Sequence, residues 1–127
     1  MKLLKQLTLV LAIAFSFASI SPAMAAGKIE NATAAQVKEA AEAAISSSEQ
    51  ALLGVQNGTN QEVVFQHITA ARQESKRIEV GRLDLKRNQG SAKLKEARVA
   101  ITKGEKEKAE ALLAEAVKIY QEIKASL

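Results

Sequence analysis

The chain contains no cysteine, no tryptophan, one histidine and one proline among its 127 residues. Without cysteine, it can form neither a disulfide nor a thiolate metal site. Its aromatic residues are limited to three phenylalanines and one tyrosine, so alanine and aliphatic side chains must fill most core positions. Little proline and much alanine are typical of an all-α protein whose helices pack through small residues.

The same shortages restrict catalytic chemistry. Nucleophilic catalysis requires a nucleophile, a base and an orienting group in one place. With a single histidine and no cysteine, the only concentrated hydroxyls are those of Ser46, Ser47 and Ser48. The chain also has no Gly-rich phosphate loop and no HExxH motif. We therefore predict that the protein is not an enzyme.

The first 25 residues have the three parts of a secretory signal peptide. Lys2 and Lys5 precede the apolar run LTLVLAIAFSFAS, and Ala23-Met24-Ala25 follows as an A-x-A cleavage site. This pattern predicts cleavage after Ala25 and export to a bacterial periplasm. The remaining residues 26–127 have a length that suits a single domain.

The apolar residues of the domain recur at helical spacing in four segments. Thr33-Ala34-Ala35-Gln36 and Thr59-Asn60-Gln61-Glu62 each have the form of a capping box, which marks a helix start. Gly58 and Gly104 lie where helices should end. Because short turns make successive helices antiparallel, we predict an all-α fold, an antiparallel up-down four-helix bundle of two helical hairpins.

Between residues 79 and 90 the helical spacing weakens. The cluster Asn88-Gln89-Gly90-Ser91 resembles a helix break, and so does Gly81, although Gly81 could instead lie inside a prolonged second helix. We expect the third turn near Gly90, with Ser91 capping a shorter third helix.

The two hairpins also share a weak sequence repeat. The segment ALLGVQNG at 51–58 aligns with ARVAITKG at 97–104, and on that alignment Glu74 falls opposite Tyr120. Either the hairpins have a common design or two alanine-rich amphipathic helices are similar by chance.

His67, in the stretch VVFQHITAARQE, lies at the edge of the predicted inner face of the second helix. A metal site within one helix needs a second ligand three or four residues away. Those positions hold Val63, Val64, Ala70 and Ala71, none of which binds metal. Any further ligand of a metal at His67 must come from another helix.

Glu49 is the predicted second ligand. It lies nine residues before Gly58, and His67 lies nine residues after it. In an antiparallel hairpin, equal distances from the turn place two residues at about the same height. A neutral imidazole and a carboxylate oxygen suit a divalent ion such as copper, zinc or nickel. The alternative is that His67 is a half-buried packing residue without metal.

Basic residues are concentrated in the middle of the chain. The net charge is +4, yet ten basic and only four acidic residues lie within residues 72–103, which we call the basic strip. An anionic membrane surface or an acidic protein would suit such a strip. Nucleic acid is not expected, because no aromatic residues alternate with the charges. A solvated helix face is the alternative.

Four short phrases rich in alanine and charge recur along the domain. They are VKEAAEAA at 37–44, FQHITAA at 65–71, KLKEA at 93–97 and LAEAV at 113–117. Together with the signal peptide and the paired hairpins, they resemble the bacterial small metal-binding protein (SmbP) family. The resemblance implies a periplasmic four-helix bundle that binds divalent metals, especially copper, through many histidines. The present chain would be a divergent, histidine-poor member, since His67 is its single histidine.

Two functions are therefore expected from the sequence. The first is weak binding of a divalent metal ion at His67 and Glu49. The second is a metal-free periplasmic interaction module, or a chaperone-like module, that acts through its helical surface. The sequence favours the first through the family resemblance, and a carboxylate on another helix close to His67 would support it.

Overall fold

A computed structural model of the protein describes residues 33–127. The predicted signal peptide, its cleavage after Ala25 and residues 26–32 of the predicted domain lie outside the described residues. The described part contains four α-helices and one 3-10 turn: α1 (Ala34–Gln56), α2 (Gln61–Lys76), the 3-10 turn (Gly81–Leu83), α3 (Asp84–Thr102) and α4 (Lys106–Ala125). Strands do not occur within residues 33–127.

Each helix packs against two neighbours. Helix α1 contacts α2 and α4, and α3 contacts α4 and α2, with the α2–α3 pair packing least extensively. This is the square arrangement of an up-down bundle, so the predicted all-α four-helix bundle of two hairpins is confirmed. None of the helices in the described region is long and apolar enough to cross a membrane.

The helix starts agree only in part with the predicted capping boxes. At α1 the capping box forms as predicted: the Gln36 N–H donates to Thr33 Oγ1 at 3.2 Å, and the Thr33 N–H donates to Gln36 Oε1 at 2.9 Å. At α2, however, Asn60 Oδ1 is the cap and accepts from the Glu62 N–H at 2.8 Å. The prediction of Thr59 as this cap was wrong, because the asparagine one residue later reaches the free N–H groups of the helix.

The turns at Gly58 and Gly104 are confirmed. Both glycines have a left-handed backbone, with φ of 66° and 76°, where a side chain would be strained. After each glycine, the next amide donates to a carbonyl five residues upstream, at 2.8 and 2.9 Å. This is the Schellman pattern of a helix C-terminus. The two hairpins therefore close with the same geometry, at matching positions of the weak sequence repeat.

The predicted third turn at Gly90 is wrong. Residues 77–83 form the break between α2 and α3, and Gly90 lies inside α3 together with the rest of its cluster. Gly81 lies outside α2, at the start of the 3-10 turn. Gly90 is buried, and a Cβ added there would lie 2.8 Å from Cζ of Tyr120. The glycine leaves space for a neighbouring ring and does not end a helix.

The core consists of small and aliphatic side chains around one tyrosine. Nine of its nineteen buried apolar residues are alanine, which brings the helix backbones close together. The larger members come from every helix and from the 77–83 break: Val37, Val64, Ile68, Ile78, Leu83, Leu94, Leu112, Leu113, Tyr120 and Ile123. Burying each of these side chains contributes roughly 1.5–3 kcal/mol to folding.

We predict that Gly90→Ala lowers the free energy of unfolding by up to about 2 kcal/mol. The added methyl group must displace the Tyr120 ring, an overpacking that costs about 1–3 kcal/mol, and the better helix propensity of alanine offsets about 1 kcal/mol of it. Urea denaturation measures the change.

The matched control is Gly81→Ala. A Cβ at Gly81 meets no atom within 4 Å, so this substitution should be neutral or stabilise by up to about 1 kcal/mol. If Gly90→Ala proves as stable as Gly81→Ala, the described contact between Gly90 and Tyr120 is incorrect.

Candidate functional site

His67 lies in α2 with a half-buried side chain, between the fully buried positions Val64 and Ala71 of the same helical face. Burial lowers the pKa of His67, because the protonated ring loses its hydration. The imidazole is therefore neutral at pH 7, which is the form that binds metal ions. Its position at the edge of the inner face agrees with the helical spacing in the sequence.

Glu49, the predicted partner of His67, is an exposed residue of α1. Within residues 33–127, no three histidine, aspartate or glutamate side chains lie close enough to hold a metal ion together. These residues do not fit the many-histidine sites that the family resemblance implies. A two-ligand site at His67 and Glu49 stays a prediction.

Glu74 is a charged residue placed in the protein interior. Its side chain is 1% exposed, and its Oε2 accepts a hydrogen bond from Arg77 Nη1 at 2.9 Å. Oε1 is buried and has no hydrogen-bond partner. Desolvation raises the pKa of Glu74, and the charge and hydrogen bond of Arg77 lower it only in part. The ion pair therefore does not fully compensate the loss of water around the carboxylate.

Two further polar groups buried in the bundle are the hydroxyls of Ser75 and Tyr120. Burial raises the pKa of Tyr120, while the Ser75 hydroxyl and the charges of Arg72 and Arg87 lower it in part. The Ser75 hydroxyl is thus a close neighbour of the Tyr120 hydroxyl. Neither hydroxyl has a partner with the geometry of a hydrogen bond.

We call Glu74, Ser75 and Tyr120 the buried polar cluster. All three residues are at most 1% exposed. A ligand in solution cannot reach side chains that are this deeply enclosed. The cluster is therefore part of the core and not a binding site, and the search for a site moves to the surface.

Most of the basic strip is engaged within the bundle. Seven of its ten basic side chains contact a described residue: Arg72 with Ser91, Arg77 with Glu74, Arg82 with the Ser126 carbonyl, Lys86 with Glu122, Arg87 with Asp84, Lys93 with Glu115 and Arg98 over the Phe65 ring. The exposed ion pairs among them add little to stability, because solvent screens the charges. Four of the seven contacts are with a carboxylate, so part of the strip is neutralised locally. Binding of an acidic protein or an anionic membrane there stays a prediction.

An open groove of about 920 Å³ lies at the end of the bundle that holds the 77–83 break. It is bordered by the first turn of α1, by the break itself and by the last turn of α4. Apolar side chains supply most of its lining: Ala35, Val37, Ile45, Val80, Ala125 and Leu127. We call it the end groove.

Local contacts fix the walls of the end groove. The capping box of Thr33 starts α1 at this place. Arg82 Nη2 donates to the Ser126 carbonyl at 2.7 Å and so joins the break to the end of α4. Val80 has an extended backbone, with φ −127° and ψ 107°, and packs against the core.

In the described part of the chain, the rim of the end groove carries three basic side chains and one acidic one. Lys124 pairs with Glu42 at 3.2 Å, and Arg82 is held by the Ser126 carbonyl. Lys38 is exposed and forms no hydrogen bond or ion pair within the described region. Its ammonium group is therefore the cation most available to a ligand.

Sequence reasoning missed the end groove. The break was expected at Gly90 and not at residues 77–83. With the break misplaced, nothing in the sequence pattern connected Val80 and Arg82 with the start of α1. The capping box at Thr33 was the one signal that located a wall of the groove.

Comparisons with known proteins assign the chain to no family. No family model matches it, and neither a curated protein nor a solved structure is significantly similar to it. A relationship to the small metal-binding protein family therefore stays a proposal.

We predict that the stability difference between the wild type and Glu74→Gln depends on pH. Because the pKa of Glu74 is raised in the folded state, protonation of this carboxyl favours folding. The resulting contribution to the free energy of unfolding is complete below the unfolded pKa of 4.5 and is lost as the pH rises through the folded pKa. Relative to Glu74→Gln, the wild type should gain stability when the pH falls from 7 to about 4.5. Urea denaturation at both pH values measures this.

Glu107→Gln is the control for this comparison, since Glu107 is exposed and has no ion pair within residues 33–127. Its difference from the wild type should stay constant over the same pH range. Parallel pH profiles for Glu74→Gln and the wild type would show that Glu74 is not desolvated.

Proposed function

We propose that the protein is an exported, non-enzymatic binding module that holds an apolar ligand in the end groove. The observation that carries this proposal is the groove itself, an open volume of about 920 Å³ with a mainly apolar lining and a charged rim. Ligand sites are typically concave and apolar with a few polar groups, of about 300–1,000 Å³, and occur between the helices of bundles. This is the metal-free interaction module expected from the sequence, with a specific surface assigned to it.

The fixed walls of the end groove support this proposal. Two of its walls are helix ends, one held by the capping box at Thr33 and the other by the hydrogen bond of Arg82 to Ser126. A pre-formed site of this kind binds without first ordering a loop, which lowers the entropic cost of binding. Its apolar floor joins the core through Val37, which is 4% exposed.

A binding role also suits the chemistry of the lining. The polar groups of the end groove are three basic side chains, one glutamate and Gln121. Catalysis of acyl or proton transfer needs a nucleophile and a base with shifted pKa values in the same cleft. The carboxyl and hydroxyl groups whose pKa values are raised, those of Glu74 and Tyr120, belong to the buried polar cluster.

We predict that the protein binds a neutral apolar dye such as Nile red and that Ala35→Glu weakens this binding at least fivefold. Ala35 is exposed in the groove lining, and a glutamate there places a charge among apolar side chains. The fold should tolerate the change, because a carboxylate is favourable in the first turn of a helix. Dye fluorescence titration measures the affinity.

The control is Ala92→Glu, which makes the same exchange at an exposed position of α3 away from the end groove. Its dye affinity should equal that of the wild type. Equal losses in both variants would mean that the dye binds elsewhere, and absence of dye binding by the wild type would refute the proposed function.

A second candidate function is weak binding of a divalent metal at His67, with Glu49 as the other ligand. The observation that favours it is the half-buried imidazole whose pKa is lowered, since a neutral ring is ready to donate to copper(II), zinc or nickel. One imidazole and one carboxylate leave the remaining positions of the ion to water, so the affinity should be modest.

We predict binding of copper(II) with about 1:1 stoichiometry, lost in His67→Ala and weakened in Glu49→Gln. Binding should persist below pH 6.5 and fall as the pH drops through the lowered pKa of His67. Calorimetric titration at several pH values tests both points. Glu62→Gln, an exposed carboxylate of α2, is the control. Identical isotherms for the wild type and His67→Ala would remove the metal site.

A further inference from the structure

We propose that the end groove binds a single-chain fatty carboxylate, with the alkyl chain on the apolar floor and the carboxylate at the Lys38 ammonium group. This inference rests on the proposed function and adds the chemical class of the ligand. Three properties of the groove carry it: the kind of side chains in its lining, the charge of its rim and the freedom of one cation.

The lining favours a flexible alkyl chain. Among the described residues, the apolar groups of the end groove are alanine, valine, isoleucine and leucine side chains, without an aromatic ring. Planar aromatic ligands gain extra affinity by stacking on aromatic side chains, whereas the described lining offers them apolar contact alone. An alkyl chain needs only apolar contact area, and it can follow the irregular floor between the ends of α1 and α4.

The charge of the rim favours an anionic head. Within residues 33–127, the lining has three basic side chains against the one carboxylate of Glu79. The first turn of α1 and the last turn of α4 both border the groove, so their helix dipoles have opposite signs and largely cancel. The side chains therefore decide the preference. Lys124 is already paired with Glu42, whereas Lys38 has no partner among the described residues.

Arg82 strengthens the same preference. Its guanidinium donates to the Ser126 carbonyl at 2.7 Å, a bond that fixes its position at the rim without neutralising its charge. A guanidinium has five N–H donors, so further donors remain for a carboxylate. The ligand head is thus expected between a mobile cation, Lys38, and a fixed one, Arg82.

The absence of cysteine from the chain allows a single reporter to be placed in the groove. Gln121 is exposed and lines the groove, so Gln121→Cys can carry an environment-sensitive fluorophore. The labelled protein is titrated with octanoate, decanoate and dodecanoate, and in parallel with dodecanol, all below their micelle concentrations. Affinity should rise about fourfold per buried CH₂ group, and dodecanoate should bind about two- to fivefold tighter than dodecanol at low salt.

Lys38→Gln should remove the preference for dodecanoate and leave dodecanol binding unchanged. Lys103→Gln is the matched control, because Lys103 is exposed and unpaired in the described region and lies at the opposite end of the bundle. It should keep the full preference. Raising the salt from about 0.01 M to about 0.15 M shortens the Debye length from about 30 to about 8 Å and should shrink the preference.

Four outcomes would overturn the inference. If dodecanol binds as tightly as dodecanoate at low salt, or more tightly, the anionic head group is rejected. If neither dodecanoate nor dodecanol binds while Nile red does, the alkyl ligand is rejected and the proposed function is kept. The fluorophore could also report an apolar environment before any ligand is added and show no change in emission during the titration. That result would show that residues 26–32 cover the groove. A signal that depends on protein concentration would instead show a second copy there.

Discussion

The close contact between the Tyr120 ring on α4 and the backbone of α3 at Gly90 controls how this bundle closes. Tyr120 is the largest fully buried side chain, in a core where nearly half the apolar residues are alanine. Alanine-rich helices approach closely, and a ring fits between them only where one residue has no side chain. Gly90 provides that place, since a Cβ there would lie 2.8 Å from the ring. Gly90 thus serves packing inside α3, and the break between α2 and α3 lies at residues 77–83.

That shift of the break has consequences at the surface. Because α2 ends at Lys76 and α3 starts at Asp84, the connecting residues cross the end of the bundle next to the start of α1 and the end of α4. Val80 packs against the core and Arg82 holds the Ser126 carbonyl. The end groove lies between these elements. The position of the break between α2 and α3 thus determines where the end groove lies.

The structure shows which basic side chains are paired and which are not, and the sequence does not. The basic strip has ten positive charges, yet seven of these side chains contact a described residue of the bundle. Lys38, outside the strip, has no partner in residues 33–127, and it lies at the end groove. An anion is expected to bind at a cation that has no partner, and the number of basic residues in a segment is a poor guide to that position. The imidazole of His67 is a separate feature of α2, and burial lowers its pKa.

The sequence by itself determined the local structure. Helical spacing of apolar residues predicted four helices and their inner faces, and the glycines at 58 and 104 predicted two turns, because a left-handed backbone is a local requirement. It also placed His67 correctly at the edge of the inner face. Only the tertiary structure decided the role of Gly90, the burial of Glu74 and the existence of the end groove. A glycine that ends a helix and one that admits a distant ring look the same in the sequence, and the distinction depends on residues 30 positions away. Burial of a carboxylate and the shape of a groove likewise depend on which helices become neighbours, and no local pattern contains that information.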